Sequence, residues 1–344
     1  MRQGIWITGI VLSLAAVAWG DEKLNLRFNC PAGTYVISQK TDSLLSSVMN
    51  GQVGQSRPMK ETMAKDLEVV IAAADPNGQR HMTMAFKRIR RVDTVGSTRV
   101  TEFDSDAPAA MANPMMAMMA KLYGAMLKAR VEATLDAQGK LIKTAGMDKD
   151  FQELARTDPN IKVMYEQMKK SGGDGNKEIV SRIASLTELL PPHPVAKGET
   201  WETTKSISIP GQEAGLKLTC TLEDIRAGKD GKTAVIGFVG TQMTGGDGQV
   251  ADYGNRKMLV RKMTTNVTGT KEIDVETGLP TRSRISYDIS TEMVLGPPPA
   301  KKPGPFSMSN LVQNVSGTAE VTVTKGKYVP AAGKSGDGGT VVAP

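Results

Sequence analysis

Met111, Met115, Met116, Met118, Met119 and Met126 crowd one short window of the chain. At helical spacing, Met115, Met118, Met119, Leu122 and Met126 form one stripe. Met116, Ala120, Tyr123 and Leu127 form a second stripe beside it, so the apolar arc is wider than a simple surface helix needs. Thioethers at this spacing are a soft donor set that could hold Cu(I). No histidine or cysteine stands nearby in sequence to complete such a site. The same stripe would also suit an apolar ligand or partner, and methionine fills irregular cores readily. Packing is the commonest of these roles and copper the rarest. If the stripe lines a cavity, the candidates are Met115, Met118, Met119, Leu122 and Met126, with Ile183 and Leu186 from a later helix.

Other chemistry is sparse. The chain has two histidines, His81 after a turn and His193 between prolines. A Ser-His-Asp triad needs an oriented histidine and a nucleophile on a strained turn, and no Gly-x-Ser-x-Gly is present. His-Glu-x-x-His and Cys-x-x-Cys are absent too, so no zinc motif is formed. Gly-Asp-Gly triplets at Asp174, Asp247 and Asp337 lack the alternating oxygen ligands of a calcium loop and read as turns. No glycine motif for phosphates or dinucleotides occurs. The sequence therefore calls for no cofactor and no catalytic residue, and a hydrolase ranks last among its readings. Cys30 and Cys220 are the two cysteines. In an oxidising compartment they could form a disulfide, or remain as two buried thiols.

The compartment is set by the first twenty residues. Met1-Arg2, an apolar run from Ile5 to Val17 and Ala18-Trp19-Gly20 make a cleavable secretory signal, with Asp21 the first mature residue. No cysteine follows the cleavage point, which argues against a lipoprotein. The apolar run is short for a membrane span. The expectation is a secreted or periplasmic protein without a transmembrane segment. Lys and Arg number 43 against 36 Asp and Glu, a formal charge of +7 that suits a mixed, soluble surface. The densest basic run, Lys87-Arg88-Ile89-Arg90-Arg91, would point its charges to both sides of a strand. With aromatics at 4% and no recognition motif, nucleic acid is not an expected partner.

These residues must be carried mainly by antiparallel strands. Leu67 to Ala74 is apolar, Asp75-Pro76-Asn77-Gly78 is a turn, and Met82, Met84 and Phe86 alternate on the return strand. Val131 to Leu135 pairs with Lys140 to Thr144 across Asp136 to Gly139. Leu216 to Ile225 leads through Gly228 to Gly231 into Thr233 to Val239, and Lys271 to Val275 turns at Glu276-Thr277-Gly278 into Arg282 to Ile289. A last strand is expected near Val321-Thr322-Val323. Helices are expected from Pro114, capped by Asn113, to Lys128, then from Met147 to Arg156 with a restart at Asp158-Pro159. A third begins near Asn176, with Ile179, Ile183, Leu186 and Leu190 on one face.

The fold class expected is α+β, predominantly antiparallel β, with about a dozen strands in a curved meander or half-barrel and a helical insert packed against it. The divisions are a signal peptide at 1–20 and a first β half at 21–105. A helical insert at 106–195 contains the hairpin at about 131–144. A second β half follows at 196–326, then a disordered tail at 327–344. Ala32-Gly33-Thr34-Tyr35 and Lys197-Gly198-Glu199-Thr200-Trp201 open the halves alike, which suggests a degenerate internal duplication. Convergent turn chemistry is the competing explanation.

The two openings, Phe103-Asp104-Ser105 and the strand–turn–strand from Asp136 to Ile142 resemble exported bacterial proteins of one family, domain of unknown function 6263. The resemblance runs from about Leu24 to Thr324 and implies no activity and no catalytic residues. More distantly, many strands with apolar helices resemble the half-barrels of periplasmic lipoprotein carriers, an analogy of fold only. Together these readings lead to a non-enzymatic envelope protein holding an apolar, lipid-like ligand in a sheet–helix cavity, or an envelope partner protein. The alternative is a structural or interaction module without a cavity.

Overall fold

The computed structural model describes residues 23–49, 58–107, 114–137, 139, 141–159, 161–162, 166, 189–209, 212–229, 231–253, 256–295 and 309–330. Along the chain run β1 (Gly33–Met49), β2 (Met59–Ile71), β3 (Arg80–Val95), β4 (Thr98–Asp104), α1 (Pro114–Lys128), β5 (Arg130–Leu135), β6 (Leu141–Ala145) and α2 (Met147–Thr157). There follow β7 (Thr200–Ile209), β8 (Gln212–Gly228), β9 (Gly231–Tyr253), β10 (Arg256–Asp274), β11 (Pro280–Leu295) and β12 (Ser309–Lys325). The helical contribution is smaller than an α+β reading implies, because α1 and α2 are the only full helices among the described residues. The third expected helix, from Asn176, lies outside them.

The strands form one open sheet in the order β6-β5-β3-β2-β1-β12-β11-β10-β9-β8-β7, with β4 pairing off β3. Every pairing is antiparallel. The first run, from β1 out to β6, and the second, from β7 in to β11, therefore follow the same spatial direction. The last strand, β12, sits between them.

Turn chemistry sets the hairpins. The Asp75 carboxylate accepts from the backbone N–H of Asn77 at 2.8 Å and Gln79 at 2.9 Å. Asp274 does the same for Thr277, accepting from its N–H at 2.8 Å and its hydroxyl at 2.7 Å. Short acidic side chains that satisfy the local backbone are what such turns require.

The sheet carries two apolar cores on one face. The first gathers Tyr35, Leu67, Val69, Met82, Met84, Phe86, Val131 and Leu135 under α1. The second gathers Trp201, Leu216, Leu218, Leu222, Ile236, Phe238 and Ile273. An extended strap joins them: Leu24, Leu26, Phe28 and Cys30 are buried while Asn25, Arg27 and Asn29 are exposed. This strict alternation is the period of a strand. Leu24 and Leu26 enter the second core, and Phe28 and Cys30 the first. Its backbone pairs with Val195 at 2.7 and 3.0 Å and with Thr277 at 2.7 Å.

Of the two states open to the cysteines, the structure has the buried thiols and not the disulfide. Cys30 and Cys220 are free and buried, each packed in a different core. Burial raises both thiols, Cys220 to about 11, because a thiolate is disfavoured away from water.

Candidate functional site

The methionine helix is used for packing where its side chains are described. Leu122 and Tyr123 are buried in the first core, and Met118, Met119 and Met126 lie half-buried against it. Tyr123 stacks beside Phe103 with ring centroids 4.8 Å apart. Beneath α1, the space bounded by Leu67, Met84, Phe86, Ala129 and Val131 has no room for a water molecule. Met115 lies within α1, but its side chain, like Ile183 and Leu186, is outside the described residues. A cleft of about 390 Å³ at the end of α1 is lined by Phe86, Lys87, Ser105, Asp106, Lys128 and Arg130, among others. No methionine lines it, and its charged walls do not suit an apolar ligand.

The basic run of β3 is paired. Lys87 meets Glu68 at 3.0 Å, Arg88 meets Asp104 at 2.7 Å, and Arg91 meets Glu61 at 2.9 Å and Asp93 at 3.0 Å. Arg91 also donates to the Tyr123 hydroxyl at 3.4 Å, tying the helix to the sheet. His81 faces Thr134 at 3.2 Å and His193 is exposed. Among the described residues no three His, Cys, Asp or Glu side chains could share a metal ion.

Among the described residues, further half-buried apolar side chains lie in the middle of the sheet. Reading across β1, β12, β11, β10 and β9, one row is Leu45, Val315, Ile289, Thr265 and Gln242. The next row on that face is Ser43, Gly317, Tyr287, Val267 and Gly240. The row between them, on the opposite face, is Leu44, Ser316, Asp288, Asn266 and Thr241. In these rows the first face is the more apolar and the other is polar, the pattern of a sheet with one side away from water. The same face runs on into both cores, with Val323 on β12 in the first and Phe238 on β9 in the second, while the buried Lys271 and Ser283 stand opposite each other on it.

Glycines shape this face. A β-carbon on Gly317 would lie 2.6 Å from the Tyr287 hydroxyl, and one on Gly269 would lie 2.5 Å from the Phe238 ring. Each aromatic ring thus lies across a neighbouring strand where no side chain stands. The Tyr287 hydroxyl reaches Ser43 at 2.8 Å, two strands away. The same missing β-carbons would approach the carbonyls of Asp42 and Arg284 at 2.5 and 2.3 Å, a close backbone approach that only glycine permits. We term this apolar strip the trough. Its residues were not singled out from the sequence, although glycines inside long Thr- and Val-rich strands were a usable signal.

The trough floor holds a polar pair. Thr265 is 2% exposed. Its Oγ1 and the Oε1 of Gln242 are buried without a hydrogen-bond partner. The two residues stand directly opposite on β10 and β9.

Residues 77–280 match the family described as a family of unknown function (DUF6263). The chain belongs to that family. The DUF6263 segment begins in the turn before β3 and ends at the first residue of β11, so it includes Gln242 and Thr265. No curated protein matches significantly. Among solved structures, lipovitellin, described by its lipid–protein interactions, is similar at 9% identity over 88% of this chain, with a TM-score of 0.39. The chain spans 26% of the length of lipovitellin. The outer membrane protein OprG from Pseudomonas aeruginosa is similar at 8% identity, over 87% of this chain and 99% of its own, with a TM-score of 0.22. The translocator domain of autotransporter NalP from Neisseria meningitidis is similar at 8% identity, over 84% and 88%, with a TM-score of 0.19. Scores of this size carry no argument about ligand. No described helix is long and apolar enough to cross a membrane.

Proposed function

We propose that this DUF6263 protein is an exported, non-enzymatic carrier or holder of an apolar, lipid-like ligand, bound along the trough. The observation behind this reading is the apolar strip of Leu45, Val315, Ala319, Ile289, Tyr287 and Val267, all half-buried, between two filled cores. The principal packing of α1 is on β3, and that of α2 is on α1, so neither helix is spent on this strip. A cluster of half-buried apolar side chains of this kind supports a binding site. The ligand site thus moves from beneath the methionine helix, where packing is tight, to the middle of the sheet.

Native mass spectrometry on protein exported into its own envelope and purified gently tests the reading. The expected result is extra mass, lost on denaturation and identified as an apolar molecule. Val315→Glu should abolish it, whereas Val36→Glu on the polar face should not. A bare-protein mass from gentle preparations would reject the carrier function.

A further inference from the structure

A hydroxyl and an amide oxygen at the floor of the trough have no hydrogen-bond partner. Thr265 Oγ1 and Gln242 Oε1 are both shielded from water, and a buried polar group without a partner is a rare and destabilising arrangement. The same-face neighbours of Thr265 are Met263 and Val267 along β10, Ile289 across on β11 and Gln242 on β9. Each of these neighbours is uncharged. Met263, Val260 and Ile289 form a small apolar cluster against the pair. Residues directly opposite in an antiparallel ladder hold their β-carbons about 5 Å apart, so one hydroxyl that displaces the side chains shielding the pair would bond to both.

Resting on the carrier reading, we propose that this pair anchors the neutral hydroxyl of a lipid-like ligand. The amide oxygen of Gln242 only accepts, so the ligand must donate to it. The Thr265 hydroxyl can donate in return. A single alcohol group does both at once, giving to Gln242 and receiving from Thr265, while its hydrocarbon chain lies along Ile289, Val315 and Leu45. An ether can only receive, leaving Gln242 unsatisfied. A carboxylate brings a charge that no neighbour of Thr265 offsets, which is costly in an apolar setting. A site built around donor and acceptor pairing discriminates strongly against analogues that leave one of its groups unpaired.

The test compares 1-dodecanol, dodecyl methyl ether and laurate as ligands of the full-length protein, with dissociation constants from titration calorimetry. The alcohol should bind about tenfold more tightly than the ether, the effect of one buried hydrogen bond gained and one orphan group removed. In Thr265→Val and Gln242→Met, which keep side-chain volume, that preference should fall to about twofold or less. Equal binding of alcohol and ether by the unaltered protein would overturn the anchor and leave the carrier reading standing. So would tightest binding of laurate, or an alcohol preference that survives both substitutions. If none of the three binds, the carrier reading falls and the anchor with it.

Discussion

Phe28 packs directly against Gly139: a β-carbon on that glycine would lie 2.8 Å from the Phe28 β-carbon. On its other side, Phe28 backs onto the β10–β11 turn, where a β-carbon on Gly278 would come 3.0 Å from the Phe28 Cα. One residue of the strap therefore wedges two distant turns, and Leu279 beside the second turn joins the first core.

Removing the wedge should uncouple these turns. Phe28→Ala should cost about 3–5 kcal/mol, as for other buried aromatic truncations. Gly139 has φ of +81°, so Gly139→Ala adds backbone strain to the steric conflict and should cost about 1–3 kcal/mol. Urea denaturation measures both. A loss below 1 kcal/mol for Phe28→Ala would show that the strap is not part of the cooperative unit.

The docking of α1 depends on Arg91, which joins Glu61, Asp93 and Tyr123 beneath the helix. Arg91→Leu leaves the buried Asp93 carboxylate without this partner and should cost about 3–5 kcal/mol. Arg99, exposed and paired with Glu102, is the control, and Arg99→Leu should stay within about 0.5 kcal/mol. Equal effects would place Arg91 in the same surface class.

Both thiols should be slow to react. Titration with a disulfide reagent in denaturant, without reductant, should find both cysteines free. In native protein at pH 8 the reaction should be slower by orders of magnitude, because burial removes both access and thiolate. A chain that shows free thiols only after reduction would establish a Cys30–Cys220 bond and a different packing of the strap.

Acid should weaken the outer face of the sheet. Burial alone would raise Asp104, but the Arg88 guanidinium beside it holds it below its ordinary value. The Lys87 ammonium does the same for Glu68, helped by the Tyr328 backbone N–H. A carboxyl lowered on folding stabilises the protein fully above its unfolded value, near 4. That stability is lost as pH falls through the lower folded value. Chemical denaturation between pH 6 and pH 2.5 should show stability declining across the acid end. Asp104→Asn should flatten that decline, and an unchanged slope would remove Asp104 from the account.

Local signals were the legible ones. The turns at Asp75 and Asp274, the bounds of α1 and the hairpin of β5 with β6 follow from residues that act on their immediate backbone. Strand lengths did not. Thr233 to Val239 was readable, yet β9 extends over 23 residues, because Gly240, Thr241 and Thr244 carry little apolar signal of their own. Their pairing comes from neighbouring strands. The strap was missed although Leu24, Leu26, Phe28 and Cys30 alternate, since a short segment after a leader has no visible partner. The Thr265–Gln242 pair was beyond reach: register alone sets them opposite, and burial alone leaves them unpartnered.

The place of β12 has a consequence for the order of assembly. Each five-strand run starts and finishes with strands pointing the same way, so β1 and β11 placed edge to edge would meet parallel. One intervening strand restores the alternation, and that strand is the last in the chain. Both runs can pair within themselves as they emerge, but the joint between them waits for Ser309–Lys325, whose contacts with β1 span most of the sequence. Such distant pairings are slow to form. Until then the molecule is two half-sheets with open edges, bridged by the strap and by Leu190, which packs against both cores, and loss of the final segment would leave it permanently in that form.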